Sequence, residues 1–211
     1  MTTKIPLPAL LLLAALTPSL TACVPALVAT GAAATAVSFH DRRTTGTQTD
    51  DETSEWKAAN RLPADLKARV HANFTAFNRI LLITGEAPDE ESRAAVGQIA
   101  ERVEGVRKVH NELVLGPGTS LSSRSNDAFV SSKVKTRLLD AMQSGANHVK
   151  PVTENGTLFL MGLVNEREAK AAIDVARTTS GVRKVVNVLE VLSEEETRRL
   201  DTARFGSSNS R

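Results

Sequence analysis

Few side chains in this 211-residue sequence could do chemistry: one thiol, Cys23, four imidazoles, His40, His71, His110 and His148, and a carboxylate run, Asp50-Asp51-Glu52. The imidazoles are scattered. They show neither metal-ligand spacing nor a nucleophile and base at recognisable positions, so each reads as a surface or strand residue. The carboxylate run suits the negative charge bias of a helix N-terminus better than an acid/base pair, and no Gly-rich phosphate loop occurs. The chain therefore reads as non-enzymatic, with no catalytic residue, cofactor or metal. The thiol is different, because Cys23 closes Leu20-Thr21-Ala22-Cys23 at the end of an apolar run, where a sulfur can be alkylated with lipid.

That tetrapeptide resembles a bacterial lipobox, in which the cysteine sulfur takes a diacylglyceryl group and becomes the new N-terminus. Residues 1–22 fit the signal peptide this requires: Lys4 and the amino terminus are positive, Ile5–Leu16 is apolar, and small residues lead to the cut. Ile5–Leu16 is shorter than the roughly 20 apolar residues of a membrane span and carries Pro6 and Pro8. One acyl chain holds a protein weakly; the resemblance implies three, hence a firm anchor. By the same resemblance, Val24 rather than an aspartate after the cysteine implies the outer membrane, facing the periplasm. The alternative, a buried structural cysteine, lacks an amphipathic pattern around Cys23 to bury it, and a single cysteine excludes an intrachain disulfide.

The elements beyond the anchor occur twice. Gly105-Val106-Arg107-Lys108-Val109 returns as Gly181-Val182-Arg183-Lys184-Val185, and Leu81-Leu82-Ile83-Thr84-Gly85 parallels Leu158-Phe159-Leu160-Met161-Gly162. The spacing predicts αββαβ in each copy, an α+β unit with helices packed on a three-stranded sheet. Copy one begins with a weak helix around Glu52–Leu66 that meets Pro63. Copy two begins with a helix capped by Asn126/Asp127, whose core stripe is Val130, Val134, Leu138 and Ala141. Strands Val149–Thr153 and Leu158–Leu163 flank Asn155-Gly156, the preferred type I′ hairpin pair; Asn78-Arg79 fits poorly, so the first loop is expected to differ. Helices Asp89–Glu104 and Asn165–Thr179 follow, the second with a capping box from Asn165 to Glu168. Strands Val106–Leu115 and Val182–Leu192 close the units. Gly85 and Gly162 end the central strands, where a missing side chain permits close backbone approach.

The expected organisation is signal peptide 1–22, acylated tether 23–45, first domain 46–116, linker 117–124, second domain 125–193 and a partly disordered tail 194–211. The polar run His40–Thr53, without apolar periodicity, reads as tether. The tail starts like a capped helix at Ser193 and is expected to be disordered beyond Phe205.

The αββαβ units with their Leu-Leu-Ile-Thr-Gly and Gly-Val-Arg-Lys-Val blocks resemble BON domains. With the lipobox, Asp41-Arg42-Arg43-Thr44-Thr45-Gly46-Thr47-Gln48 and Ser125-Asn126-Asp127-Ala128-Phe129, the chain resembles the dual-BON outer-membrane lipoproteins. That resemblance implies binding of anionic phospholipid, phosphatidylglycerol or cardiolipin, through the first helix of the second unit, and a role in outer-membrane integrity at division sites. Asn126, Asp127, Phe129, Lys133, Lys135, Arg137 and Leu139 are the expected lipid-binding residues. Phe129 stands where a member of that family carries Trp.

The residues point to the same helix independently. With Phe129 at zero, the core stripe centres near about 140° and Leu139 near about 280°, so Phe129 and Leu139 lie off the core face with Lys133, Lys135 and Arg137 around them. Residues 46–116 hold 9 basic and 12 acidic side chains, whereas residues 124–193 hold 10 and 7. Only the second copy should be drawn to an anionic surface. The overall net charge of +2 is too small for a general nucleic-acid binder. Two readings compete. In one, Phe129 covers a domain interface and the basic residues are solvated. In the other, the chain is a periplasmic adaptor whose first BON domain binds protein partners in envelope assembly or cell-wall remodelling. A hydrolase acting on envelope polymers would need a catalytic constellation that the sequence lacks.

Overall fold

The computed structural model describes residues 41–205. The expected signal peptide, Cys23 and the tail beyond Phe205 lie outside the described residues.

The first repeat runs α1 (Thr45–Arg61), α2 (Ala64–Arg69), β1 (His71–Phe77), β2 (Ile80–Ala87), α3 (Glu90–Glu101), β3 (Lys108–Asn111) and β4 (Val114–Leu115). The polar run read as tether is helical from Thr45, capped by the Thr44 hydroxyl, which accepts from the Thr47 amide at 3.0 Å. Its buried face is Asp51, Ser54 and Ala58, so the periodicity is carried by small and polar residues and no apolar stripe marks it. The helix expected to run through Leu66 is two, divided at Pro63, which has no amide to continue the first. Both β3 and β4 pair parallel with β2 in one register, so they are a single edge strand with a break.

The second repeat runs α4 (Leu121–Met142), a 3₁₀ turn (Gln143–His148), β5 (Val149–Glu154), β6 (Thr157–Val164), α5 (Glu166–Arg177) and β7 (Lys184–Val191), followed by α6 (Glu194–Phe205). Helix α4 starts in the expected linker, capped by Ser120, so Asn126 and Asp127 lie inside it and are not its cap. The capping box of Asn165 and Glu168 is formed, and Ser193 with Glu196 caps α6 in the same way.

In each sheet the central strand pairs antiparallel with the strand before it and parallel with the one after α3 or α5. Alternation along β2 and β6 divides their apolar runs between two cores. Leu81 and Ile83 meet Ala58, Leu66 and Val96 of the first repeat's helices, while Leu158 and Leu160 meet Val130, Val134 and Leu138 of α4. The intervening Ile80 and Leu82 pack against Phe159, Met161 and Leu163 in a third core shared by both repeats. The sheets are therefore stacked face to face with the helices outside, and the continuous apolar runs reflect strands buried on both faces.

The residues before α1 join the repeats. Arg42 is buried and donates to the Leu163 carbonyl, to both Glu168 oxygens and to Asp201 of α6. Arg43 pairs with Asp41 and Asp51 and lies 3.8 Å over the Phe77 ring. Across the stacked sheets, Lys150 pairs with Glu55, and Asn78 and Arg107 donate to Glu190.

Candidate functional site: the outer face of α4

Helix α4 is anchored by Val130, Val134 and Leu138, all fully buried, whereas Ala141, expected in that stripe, is exposed. The stripe ends at Leu138 because the chain leaves the helix at Gln143, which has φ of +50°. With the inner face fixed, the outer one follows from helical geometry. Phe129 is 61% and Leu139 45% exposed. Leu121, which the sequence reading passed over, is 77% exposed. It lies eighteen residues before Leu139, about five turns, and so on the same side. Its position in a presumed linker hid it. The reading in which Phe129 covers the domain interface is overturned, because that interface is the opposite face of the sheet.

The three cations differ. The Lys133 ammonium lies 4.9 Å from the centre of the Phe129 ring and donates to the Ser180 carbonyl at 3.1 Å. Lys135 folds back under the helix, donating to the Ala146 carbonyl at 2.6 Å and that of Val149 at 3.1 Å. Burial pushes its pKa down, offset in part by Asp41. Its ammonium is held by carbonyls of the 3₁₀ turn and of the first residue of β5, not turned to the outer face on which a lipid ligand was expected. Arg137 donates to the Val175 carbonyl and to the Thr178 and Thr179 hydroxyls, where it complements the C-terminal end of α5. Asp140, an exposed carboxylate, flanks Leu139.

Asp127 is also corrected as a lipid contact. It is buried, and its two oxygens accept from the Asn155 and Gly156 amides at 2.8 and 2.9 Å. Those residues have φ of 46° and 68°, a type I′ pair whose outward amides need an acceptor. Asp51 does the same in the first repeat, accepting from Asn78 and Arg79 at 2.8 and 2.7 Å. Asn78 and Arg79 have φ of 51° and 65°, so the first loop, expected to differ, is the same turn. The carboxylate compensates a left-handed Arg79 where the second repeat has glycine. Asn126 is exposed on the same helix. At Gly85 and Gly162 an added Cβ would lie 2.0 and 2.3 Å from the His71 and His148 carbonyl oxygens, which explains both glycines.

A second polar cluster gathers at the N-terminal end of α5. Burial would raise the Glu168 carboxyl, but hydrogen bonds from His148, Arg42 and the Asn165 amide hold its pKa at about 2. Among the described residues no helix is long and apolar enough to cross a membrane.

The profile of the BON domain matches twice, at residues 50–117 and 126–193. The chain is 38% identical over 189 residues to "Outer membrane lipoprotein DolP" of Haemophilus influenzae, covering 89% of this chain and 97% of that one. It is 36% identical over 151 residues to "21 kDa hemolysin" of Actinobacillus pleuropneumoniae, covering 71% and 78%. A solved structure of CdsD, a structural protein of the type III secretion system of Chlamydia trachomatis, matches 68% of this chain and 93% of its own at 15% identity and a TM-score of 0.24. The duplicated αββαβ units and the two matched segments place the chain in the BON-domain family, as a member carrying two copies of the domain.

Proposed function

We propose that the protein is an outer-membrane lipoprotein, acylated at Cys23, whose second BON domain binds anionic phospholipid through the outer face of α4 and so supports outer-membrane integrity, at division sites among others. The observation that carries this reading is the pairing of an exposed ring with an ammonium, Phe129 beneath Lys133, beside exposed Leu139 and Leu121. A helix face of this kind sinks its apolar residues into the headgroup boundary while its cations meet phosphate. The similarity to an outer membrane lipoprotein supports the address. The proposed ligand set is smaller than the sequence suggested: Phe129, Leu139 and Leu121 enter, Lys133 pairs with phosphate, and Asn126 is exposed on the same helix. Flotation with phosphatidylglycerol vesicles but not phosphatidylcholine vesicles is the expected result. It must be done on the two-domain unit, because separating the repeats would expose Phe159, Met161 and Leu163 and make the second one sticky toward any lipid. Equal recovery on both vesicles contradicts the proposal.

One observation favours a second role for the first domain. Trp56 on α1 is 68% exposed on the acidic repeat, and an exposed Trp is a frequent anchor of protein interfaces. In this reading the first BON domain docks an envelope-assembly or cell-wall remodelling partner while the second rests on lipid. Photo-crosslinking from position 56 in intact cells should yield a discrete adduct, and its absence would remove this role.

A further inference from the structure

We propose that His71, Glu86 and Glu154 form a binding site for a divalent transition-metal ion of the zinc class, which clamps the two repeats at one end of their stacked sheets. His71 lies opposite Glu86 in the β1–β2 register. Glu86 follows Ile80, Leu82 and Thr84 at alternate positions of β2, on the face turned toward the second repeat. Glu154 comes from the last position of β5 in that repeat. One ligating atom from each of the three lies within 4.8 Å of the others, and His71 Nδ1 is 2.9 Å from Glu86 Oε2.

The chemistry of this corner is unbalanced without an added cation. Glu86 is 3% exposed, and its Oε1 is buried with no hydrogen-bond partner. A buried carboxylate oxygen without a partner is costly, and such groups are rare. Among the described residues, neither Glu86 nor Glu154 forms a salt bridge with Lys or Arg. Two carboxylates thus share a corner with a single imidazole. Asn73 Nδ2 and Thr84 Oγ1 donate to Glu154 Oε2 at 2.8 and 3.0 Å, fixing that carboxylate from behind as outer partners of metal ligands do. A cleft lined by Gly85, Glu112, Glu154 and Lys184 adjoins the cluster.

One imidazole nitrogen with two carboxylate oxygens suits zinc and its first-row neighbours better than calcium or magnesium, which prefer all-oxygen sets. Bonds of about 2.0–2.2 Å would require side-chain rotations that open the His71–Glu86 contact slightly to admit the ion, and water would complete the coordination. The His71 ring binds neutral, so capture of the ion releases the Nδ1 proton wherever that nitrogen was protonated. The three ligands come from separate strands in two repeats, which is why their sequence spacing matches no metal motif.

The test uses the full acylated chain in detergent, stripped with EDTA and titrated with zinc, and in parallel with cobalt for its visible absorption. The expected result is one tightly held zinc per chain, with a raised melting temperature that EDTA reverses. Glu154→Gln, which keeps an acceptor for Asn73 and Thr84, and His71→Gln should each weaken zinc binding at least about tenfold. His110→Gln, elsewhere on the first sheet, should leave it unchanged. Failure of the wild-type chain to bind one equivalent of zinc overturns the proposal whether or not the variants fold. Equal affinity in the wild type and folded Glu154→Gln and His71→Gln variants overturns it as well.

Discussion

Replacing Phe129 by Ala separates membrane contact from folding, because the ring is on the outside of a helix whose inner face is already filled. With 61% of the residue exposed, about 120 Å² of a ring that can bury about 200 Å² is free to leave water, worth about 3 kcal/mol at ~25 cal/mol per Å². Alanine keeps a methyl group, so the loss should be about 2 kcal/mol, or about thirtyfold in partitioning. An exposed position away from caps and cores should change stability by only about 0.5 kcal/mol. The assay is cosedimentation of the unacylated two-domain unit with phosphatidylglycerol vesicles across a lipid titration, with thermal unfolding run on the same preparation. A thirtyfold shift with an unchanged melting temperature is expected. Undiminished binding would refute the membrane role of the ring, and a matching fall in melting temperature would show that it belongs to the core.

Other perturbations test the remaining assignments. Lys133→Met should weaken binding to anionic vesicles about fivefold, the effect of roughly 1 kcal/mol per basic residue at the surface, whereas Lys135→Met should lower stability and leave vesicle binding per folded molecule unchanged. Asp127→Ala removes the acceptor for two turn amides and should cost about 3 kcal/mol in urea unfolding, again with no effect on lipid preference. Glu168 has a folded pKa of about 2 against an ordinary 4.5, so its stabilisation is complete above about pH 4.5 and is lost as pH falls toward 2. Between pH 6 and pH 3 the wild type should lose up to about 2 kcal/mol more stability than Glu168→Gln; parallel curves would show that the carboxylate is not held by Arg42 and His148 as described.

The duplication, the αββαβ order and the type I′ turn at Asn155-Gly156 were legible because each rests on a local signal: an internal repeat, alternating periodicity, or two residues that tolerate positive φ. The start of α1 was not, since Asp51, Ser54 and Ala58 bury a face without any apolar stripe. Asp51 and Asp127 read as a charge cluster and a helix cap, yet each works on a turn 27 to 29 residues away, a contact that only the fold creates. At the candidate site the helical angle separated Phe129 and Leu139 from the core stripe correctly. It could not tell which cations were engaged, because Lys135 is taken by the Ala146 and Val149 carbonyls, the first in a 3₁₀ turn that leaves no mark in the sequence.

The central claim, that the ring at position 129 enters the acyl boundary of an anionic bilayer, is tested most directly by fluorescence quenching. In a Trp56→Phe, Phe129→Trp variant the only indole reports from α4, since Trp56 is the sole native tryptophan. Phosphatidylglycerol brominated along its acyl chains should quench that indole strongly and shift its emission to the blue, while brominated phosphatidylcholine should do neither. An indole at position 129 that stays solvent-exposed and unquenched on brominated anionic vesicles would contradict the account.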